Sequence, residues 1–166
     1  MVSEGYLINQ SLAGRTNQRD NEYGGTCNNR MMIATKIIRD TRNGVGKYFI
    51  LMFRVSMINL TPEFLSWDNI TELAMALEDA GGNIITTSVV WHESQVPTIS
   101  KLLPRPAFTF PTHRIKLSYL VLVPLFVTNC INYPDVVERV MDRSDTNLIS
   151  MYRTLLADPD ITRKGN

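Results

Sequence analysis

The residues that could support catalysis or ligand binding are few in this sequence. Residues 44–47 read Gly-Val-Gly-Lys, which suggests a phosphate-binding loop. However, Thr41 stands where such a loop needs glycine, and Tyr48 stands where it needs serine or threonine. The loop should also run from a strand into a helix, whereas this stretch is predicted to lie between two strands. We therefore interpret residues 44–47 as a turn.

The two histidines lack partners at the spacing of a metal site or a catalytic pair. Trp91-His92-Glu93 places a histidine beside a carboxylate, but neighbours on a strand point to opposite faces of the sheet. His113 has no cysteine or second histidine at metal-ligand spacing. A small hydrolase or transferase with scattered catalytic groups stays open as an alternative. We otherwise expect no catalytic residue, no metal and no cofactor.

A basic run with no acidic residue between positions 94 and 134 is the first candidate contact region. Aromatic residues Phe108, Phe110 and Tyr119 lie within it, which would suit phosphate or phospholipid contact. The solvated rim of a strand is the other interpretation, and no aromatic motif of the RNA-recognition type indicates sequence-specific RNA binding. The candidates for phosphate, nucleocapsid or lipid contact are Lys101, Arg105, Arg114 and Lys116.

A proline-rich loop at residues 93–111 is the second candidate contact region. Its apolar content is unusual for a loop, so it either folds back on its own core or exposes a patch that contacts a protein or a membrane. The candidates for self-association or membrane docking are Val96, Ile99, Leu102 and Leu103.

The hydrophobic patterns that position these residues predict the element order β-β-α-β-loop-β-α-α. Predicted strands occupy residues 31–39, 47–60, 84–91 and 113–127, with a hairpin turn at Asn43-Gly44. Three helices are predicted. The first begins at Thr61-Pro62 or at Asn69 and ends at Gly81-Gly82, and the second begins at Pro134. The third runs from a cap at Asp145 to Asp158-Pro159. This order is typical of an α+β fold, an antiparallel sheet with helices packed on one side.

Length and composition are those of one globular domain preceded by a polar N-terminal arm. The chain has 166 residues, 44% hydrophobic and 20% charged. Residues 1–30 have little to bury and are predicted to form the arm, with Tyr6, Leu7 and Ile8 as a hydrophobic hook. Residues 31–166 are predicted to form a single domain. The net charge of +1 excludes a global field that would attract nucleic acid.

Neither the cysteines nor the most apolar stretch indicates secretion or a membrane span. Cys27 and Cys130 are far apart in sequence, which favours a reduced, intracellular protein, and the N-terminus lacks the pattern of a signal peptide. Residues 47–60 would rise only about 21 Å as a helix, less than the roughly 30 Å core of a bilayer. Arg54 would also lie in the middle of the span, so we interpret this stretch as a central strand.

Two stretches resemble the matrix proteins of rhabdoviruses, in particular plant-infecting, cytorhabdovirus-like members. They are FRVSMINLTPEFLSWD (53–68), where a long strand runs into a helix, and RPAFTFPTHRIKLSYLVLV (105–123), which leads into the second long strand. The resemblance covers roughly residues 47–140 and concerns the order of the predicted elements and the general composition of these stretches. The chain departs from animal members because it has no lysine-rich N-terminal tail and no Pro-Pro-x-Tyr motif.

The resemblance implies a non-enzymatic viral structural protein that self-associates and bridges the helical nucleocapsid to the inner face of the envelope membrane. Its partners would be further copies in a helical lattice, the viral nucleoprotein and the inner membrane leaflet. Its location would be the virion and the host cytoplasm, peripheral at membranes. Residues 1–12, with Tyr6, Leu7 and Ile8, would reach a neighbouring copy. The alternative is an RNA-contacting coat or nucleocapsid-associated subunit that uses the four basic candidates.

Overall fold

The computed structural model describes residues 5–61, 64–89, 91–92, 94, 106–118, 120–128 and 131–164. The helices are α1 (Leu7–Leu12), α2 (Cys27–Val45), α3 (Trp67–Asp79), α4 (Phe110–Ser118), α5 (Pro134–Asp142), α6 (Arg153–Ala157) and α7 (Ile161–Lys164). The strands are β1 (Met52–Ile58), β2 (Ile84–Val89), β3 (Leu125–Val127) and β4 (Leu148–Ile149).

The four strands form one parallel sheet in the order β1-β2-β3-β4. The predicted antiparallel sheet is therefore wrong. Parallel neighbours need a crossover connection, and helices supply it here: α3 joins β1 to β2, α4 lies between β2 and β3, and α5 joins β3 to β4. The fold consequently alternates strands with helices, instead of folding back through hairpins.

The segment predicted as the first strand, residues 31–39, is part of helix α2. Thr26 caps the helix by accepting a hydrogen bond from the Asn29 backbone N–H at 3.3 Å. Met31, Ala34 and Ile38 are buried along one face, which is helical spacing. The predicted hairpin turn lies in the last helical turn, so the hairpin that suggested antiparallel pairing does not exist.

The predictions for the elements nearest the site are partly confirmed. Strands β1 and β2 lie within residues 47–60 and 84–91, and Gly81-Gly82 follows the end of α3. Helix α3, however, is capped by Ser66, which accepts from the Asn69 N–H at 3.2 Å. It therefore begins between the two predicted starting points, because Ser66, in an extended conformation, supplies the capping hydroxyl.

The C-terminal third was predicted less well. The predicted strand at residues 113–127 is helix α4 followed by the three-residue strand β3, although its first half alternates in polarity. Helix α5 begins at Pro134 as predicted. The next predicted helix is divided, because Leu148–Ile149 pair with β3 as strand β4 and the helix α6 starts only at Arg153.

The main core lies between the sheet and the helices. Odd-numbered side chains of β1 (Phe53, Val55 and Met57) pack there with Leu73 and Leu77 of α3. Leu12 of α1 belongs to the same core, and the predicted boundary between residues 1–30 and 31–166 falls inside α2. Arg54 and Ser56 of β1 point to the opposite face of the sheet, whereas Ile58, after a register shift, packs against the main core. The described residues contain no helix that is long and apolar enough to cross a bilayer.

Candidate functional site

The carboxyl ends of all four strands meet at one edge of the sheet because the strands are parallel. In sheets of this kind, ligands bind at that edge. Asn59 follows β1, Trp91 and His92 follow β2, Thr128 follows β3, and Ser150 follows β4. Buried polar side chains at this edge that lack a hydrogen-bond partner are therefore candidates for ligand binding.

Within the described part of the chain, three neighbouring residues at this edge have buried polar atoms without a hydrogen-bond partner. They are both amide atoms of Asn59, the hydroxyl of Thr61 and the indole nitrogen of Trp91. Asn59 is 2% exposed and Trp91 is 1% exposed, and the Trp91 backbone N–H donates to the Asn59 carbonyl at 3.4 Å. An unsatisfied buried group costs about 1–3 kcal/mol, so such a concentration requires an explanation. A ligand that completes the site would provide one.

A pocket of about 350 Å³ opens beside Asn59, between the end of β1 and the start of α3. Its described lining is neutral and mostly apolar, with Asn59 and Thr61 as its polar members besides the indole of Trp67. The lining residues are Met57, Ile58, Asn59, Leu60, Thr61, Phe64, Leu65, Trp67 and Ile70.

The first described residues of the chain pack onto the end of β2. Gly5 donates its N–H to the Asn9 side-chain oxygen at 2.9 Å and adopts a left-handed φ of +87°. The Tyr6 ring stacks on His92 at a centroid distance of 6.1 Å, and His92 stacks on Trp91 at 6.1 Å. The N-terminal segment thus covers the aromatic side chains that follow β2.

A second polar group lies on the sheet face opposite the main core. Arg54 and Thr86 are register partners on β1 and β2, and Ser56 and Ser88 form the next pair. The hydroxyl of Thr86 is buried and has no hydrogen-bond partner among the residues that the structure describes. A half-buried guanidinium beside three hydroxyls can bind carbonyl oxygens or negative charge.

A buried carboxylate lies at the other end of the sheet, before β4. Asp145 is 1% exposed, and its oxygens lie 3.0 Å from His113 Nδ1 and 3.4 Å from Arg143 Nε. The amino ends of parallel strands are usually structural rather than catalytic, so this group is expected to stabilise the fold. Among the described residues, no group of three His, Cys, Asp or Glu side chains could hold a metal ion.

Of the four predicted basic residues, the structure describes Arg114 and Lys116, which make different contacts. The Arg114 guanidinium lies over the Trp67 ring at 4.4 Å, whereas Lys116 Nζ donates to the Thr146 carbonyl at 3.1 Å. Their contact with phosphate or lipid stays a prediction. Six predicted contact residues lie outside the described part of the chain: Val96, Ile99, Lys101, Leu102, Leu103 and Arg105.

The three residues of the predicted hydrophobic hook lie in different environments. Tyr6 stacks on His92, Leu7 is 74% exposed, and Ile8 packs against the main core. Contact of this segment with a neighbouring copy stays a prediction.

Asn59, Thr61 and Thr86 were not predicted as site residues from the sequence, and Trp91 was named only as a neighbour of His92. Their signal is burial without a partner, which depends on tertiary packing and leaves no pattern in the sequence. Arg54 was noticed, but only as an argument against a membrane span. The one available clue was the position of Asn59 directly after a strand, because polar residues there line the binding edge of a parallel sheet.

In comparisons with known proteins, this chain is similar to redox enzymes. A family model described as "NADH:flavin oxidoreductase / NADH oxidase family" matches residues 1–166. A metal reductase of Desulforamulus reducens is 32% identical over 99% of this chain and 24% of its own length. An NADH oxidase of Thermoanaerobacter brockii is 29% identical over 98% of this chain and 25% of its own length. The chain thus spans about a quarter of the length of these relatives.

Solved structures agree on the fold. A structure of 2-naphthoyl-CoA reductase with 2-naphthoyl-CoA has a TM-score of 0.93 and 26% identity, over 98% of this chain and 25% of that one. An old yellow enzyme homologue from Zymomonas mobilis has a TM-score of 0.73 and 20% identity, over 98% of this chain and 44% of that one, and it supports the fold alone. The parallel sheet with its helices matches the TIM-barrel-like fold of flavin oxidoreductases.

These matches overturn the function predicted from the sequence. The resemblance to a rhabdovirus matrix protein is wrong, because the oxidoreductase model covers all 166 residues whereas the matrix likeness rested on element order without a motif. The predictions of a non-enzymatic protein and of a helical lattice with viral nucleoprotein under an envelope membrane are wrong for the same reason. The predicted location in a virion and at host membranes is also wrong, since the matched relatives are bacterial and fungal oxidoreductases. The alternative of an RNA-contacting coat subunit has no support.

Proposed function

Because this chain belongs to the NADH:flavin oxidoreductase / NADH oxidase family, we propose that it contributes to an enzyme that passes electrons from NADH or NADPH to a second substrate through a bound flavin. Relatives are named for different substrates: one is a metal reductase and another is an N,N-dimethylglycine/sarcosine dehydrogenase. The chemistry that their names share is redox chemistry, which a flavin supplies when bound. The proposal therefore concerns how this chain holds a flavin.

The polar face of β1 and β2 carries the proposal. The pyrimidine end of a flavin presents two carbonyl oxygens and an unprotonated ring nitrogen, which accept hydrogen bonds, and one imide N–H, which donates. Arg54 offers a fixed fork of donors, and the register places Thr86 beside it. Since the buried Thr86 hydroxyl has no partner in the described part of the chain, a ligand with acceptors at this face would satisfy it. The donor set fits a flavin.

Arg54 has an electrostatic role in this proposal. A half-buried cation stabilises negative charge more strongly than an exposed one, because the surrounding dielectric constant is low. Reduction of a flavin places negative charge on its pyrimidine end. Arg54 would therefore orient that end of the ring, favour the reduced form and raise the reduction potential.

The phosphate of a flavin nucleotide would lie near the loops after β3 and β4. Barrels of this architecture frequently bind phosphate between the loops that follow two neighbouring strands and a short extra helix. Arg153 is the first residue of the short helix α6, which follows β4. The Thr128 hydroxyl, after β3, already donates to the Thr87 carbonyl at 2.7 Å. Arg153 is therefore the residue that we assign to the phosphate.

Titration of flavin mononucleotide with the 166-residue chain tests the binding step, with flavin fluorescence as the readout. Saturable binding is expected, and Arg54→Leu should weaken it roughly tenfold to a hundredfold, since a hydrogen bond that involves a charged group contributes about 1.5–3 kcal/mol. Arg39→Leu is the matched control, because Arg39 is an exposed arginine of α2. Failure to bind flavin, or an equal loss in both variants, would contradict the proposal.

Anaerobic addition of NADH to the flavin-loaded chain tests the redox step separately. Loss of flavin absorbance near its visible maximum is the expected result. The reduction potential of the bound flavin should also fall in Arg54→Leu, because a nearby positive charge is removed. Binding without reduction would contradict the electron-transfer role while leaving the flavin-binding role in place.

A further inference from the structure

We propose that two copies of this chain pair through the edges of their sheets, with β1 of each copy beside β4 of the other, so that eight parallel strands close into one barrel. In the described part of the chain, β1 and β4 each have a strand on one side only, because the order is β1-β2-β3-β4. The barrel fold that this chain matches has eight parallel strands, twice the number of described strands. Each copy would supply half of the barrel.

The parallel direction of the strands determines the symmetry of this dimer. Neighbouring strands within the sheet are all parallel, and the strands of a closed barrel of this kind are parallel as well. A two-fold axis along the barrel places β1 beside β4 of the other copy at two equivalent seams, which closes both edges of both sheets. Pairing of the two β1 strands with each other would leave both β4 edges open, and open edges promote aggregation.

The register at each seam places apolar side chains beside each other. Pairing runs across the sheet from Arg54 of β1 to Leu148 of β4. A barrel of eight strands with a shear of eight shifts the register by about four residues over each half. Because barrel strands tilt in the right-handed sense, this shift runs toward the amino end, and Leu148 lies beside the partner's Ile50. Both side chains are exposed in the single copy.

The inner face of the sheet, opposite the main core, carries further apolar side chains. Met52 is exposed on this face and pairs with Ile84, which is half-buried. Phe126 of β3 lies on the same face and is also half-buried. Parallel sheets are normally covered on both faces, and the interior of a barrel is filled by layers of such side chains from all strands. A second sheet opposite this one would complete these layers.

Exposed aromatic side chains lie beside both outer strands. Tyr48 and Phe49, which precede β1, are 89% and 57% exposed, and Tyr152, which follows β4, is 75% exposed. Since a fully buried aromatic side chain removes about 150–250 Å² from solvent, these three would bury roughly 650–1,100 Å² in the two copies together. A stable dimer needs about 1,200–2,000 Å². The exposed Ile50 and Leu156 on the same two flanks extend the surface toward that range.

The proposed flavin site faces the interior of this barrel. Arg54 and Thr86 lie on the inner face, on the same strands as Met52 and Ile84. A closed barrel places eight loops around its carboxyl end, where ligands bind, and each copy supplies the loops that follow its own strands. The loops of the second copy would therefore complete the rim of the flavin site. This part of the inference rests on the proposed function, whereas the pairing of the two copies does not.

Sedimentation velocity of the flavin-free, 166-residue chain at micromolar concentration tests the pairing. A species of twice the mass of one chain is expected. Tyr48→Ala and Tyr152→Ala should each raise the dissociation constant of the dimer at least about thirtyfold, because buried aromatic side chains dominate the energy of interfaces. Met75→Ala is the matched control, since Met75 is an exposed apolar residue of α3, which lies between β1 and β2 rather than at a seam.

An exchange of charges identifies the seam. Ile50→Glu and Leu148→Lys should each leave the chain monomeric, because each places an unpaired charge in the interface. The double variant should restore the dimer, since the new glutamate of each copy then lies beside the new lysine of the other. Within one copy the two positions are three strand spacings apart, about 14 Å, so they cannot form this ion pair.

Two results would overturn the pairing: a wild-type chain that stays monomeric at tens of micromolar, and a double variant that is no more dimeric than either single variant. Titration with flavin mononucleotide then separates the pairing from the proposed function. Ile50→Glu keeps Arg54 but should bind flavin at least about tenfold more weakly than the wild-type chain, since half of the rim is lost. Equal binding by this monomer would overturn the shared site. A wild-type dimer that binds no flavin would contradict the proposed function and support the pairing.

Discussion

Replacement of Gly5 by alanine should destabilise the fold more than any other single glycine-to-alanine change considered below. Gly5 has φ +87°, and an added Cβ would overlap His92 Nδ1 and lie 2.8 Å from Trp91 Nε1. His92 is exposed and can turn away. Trp91 is 1% exposed and packed against Phe64, so it cannot move without disturbing the carboxyl edge of the sheet.

The expected loss has two parts. The left-handed backbone costs a residue with a Cβ about 1–2 kcal/mol. The overlap with Trp91 and His92 adds about 1–3 kcal/mol, as extra methyl groups do in packed interiors. The free energy of unfolding should therefore fall by roughly 2–5 kcal/mol in Gly5→Ala.

Substitutions at two other glycines distinguish the backbone part of this loss from the steric part. Gly25 has φ +73° with no atom within 4 Å of a built Cβ, so Gly25→Ala should lose only the backbone part, about 1–2 kcal/mol. Gly44 lies in α2 without a left-handed φ and also has open space, so Gly44→Ala should gain about 0.5–1 kcal/mol. From the most to the least stable protein, the expected order is thus Gly44→Ala, wild type, Gly25→Ala and Gly5→Ala.

Urea unfolding followed by tryptophan fluorescence measures all four proteins in one assay. The wild-type slope of free energy against urea should be kept in each variant. Equal losses in Gly5→Ala and Gly25→Ala would refute the reasoning, because they would mean that residue 5 does not pack on Trp91. A larger loss in Gly5→Ala would support docking of the N-terminal segment within its own chain.

Three further changes test other parts of the structure. Asp145→Asn should lower the free energy of unfolding by about 1–3 kcal/mol, whereas Arg143→Ala, at the exposed end of that ion pair, should lower it by about 0–1 kcal/mol; thermal unfolding compares them. Ser66→Ala removes the cap of α3 and should cost about 1 kcal/mol, which denaturant unfolding measures and Ser66→Asp should largely restore. Burial raises the pKa of the Cys27 thiol above its usual 9.0, against the opposing effect of Arg30. Alkylation in a Cys130→Ser background should therefore reach half its maximal rate above pH 9.0. Because the pKa of this thiol is higher in the folded state than in the unfolded state, its contribution to the free energy of unfolding should be fully present below pH 9.0. That contribution should decline as the pH rises through the folded-state pKa. A half-maximal rate at or below pH 9.0 would contradict the burial of the thiol.

Elements whose local signals agree could be predicted from the sequence. Pro134 stands at the first helical position of α5, where its missing N–H costs nothing. The run at residues 84–89 is rich in β-branched residues and is strand β2. In both cases the residue type, the pattern and the neighbours indicate one structure only.

Residues 31–39 could not be assigned correctly from composition. Their isoleucines favour a strand, while the buried positions Met31, Ala34 and Ile38 follow helical spacing. Thr26, five residues upstream of the segment, resolves the conflict because it caps the helix. The sequence analysis took residues 1–30 as an arm and thereby separated the cap from its helix.

Strand direction, more than strand position, decided whether the candidate site could be predicted. β1 and β2 were located nearly correctly, but antiparallel neighbours would place Asn59 and Trp91 at opposite ends of the sheet. Parallel pairing brings both to one edge, where the Trp91 N–H bonds the Asn59 carbonyl at 3.4 Å. The same change places Arg54 beside Thr86, since the register of a parallel pair increases in the same direction on both strands. The helix at residues 31–39 was mistaken for a strand, which led to the antiparallel prediction. The pairs Asn59 with Trp91 and Arg54 with Thr86 were therefore not considered, although each residue lay in or next to a correctly located strand.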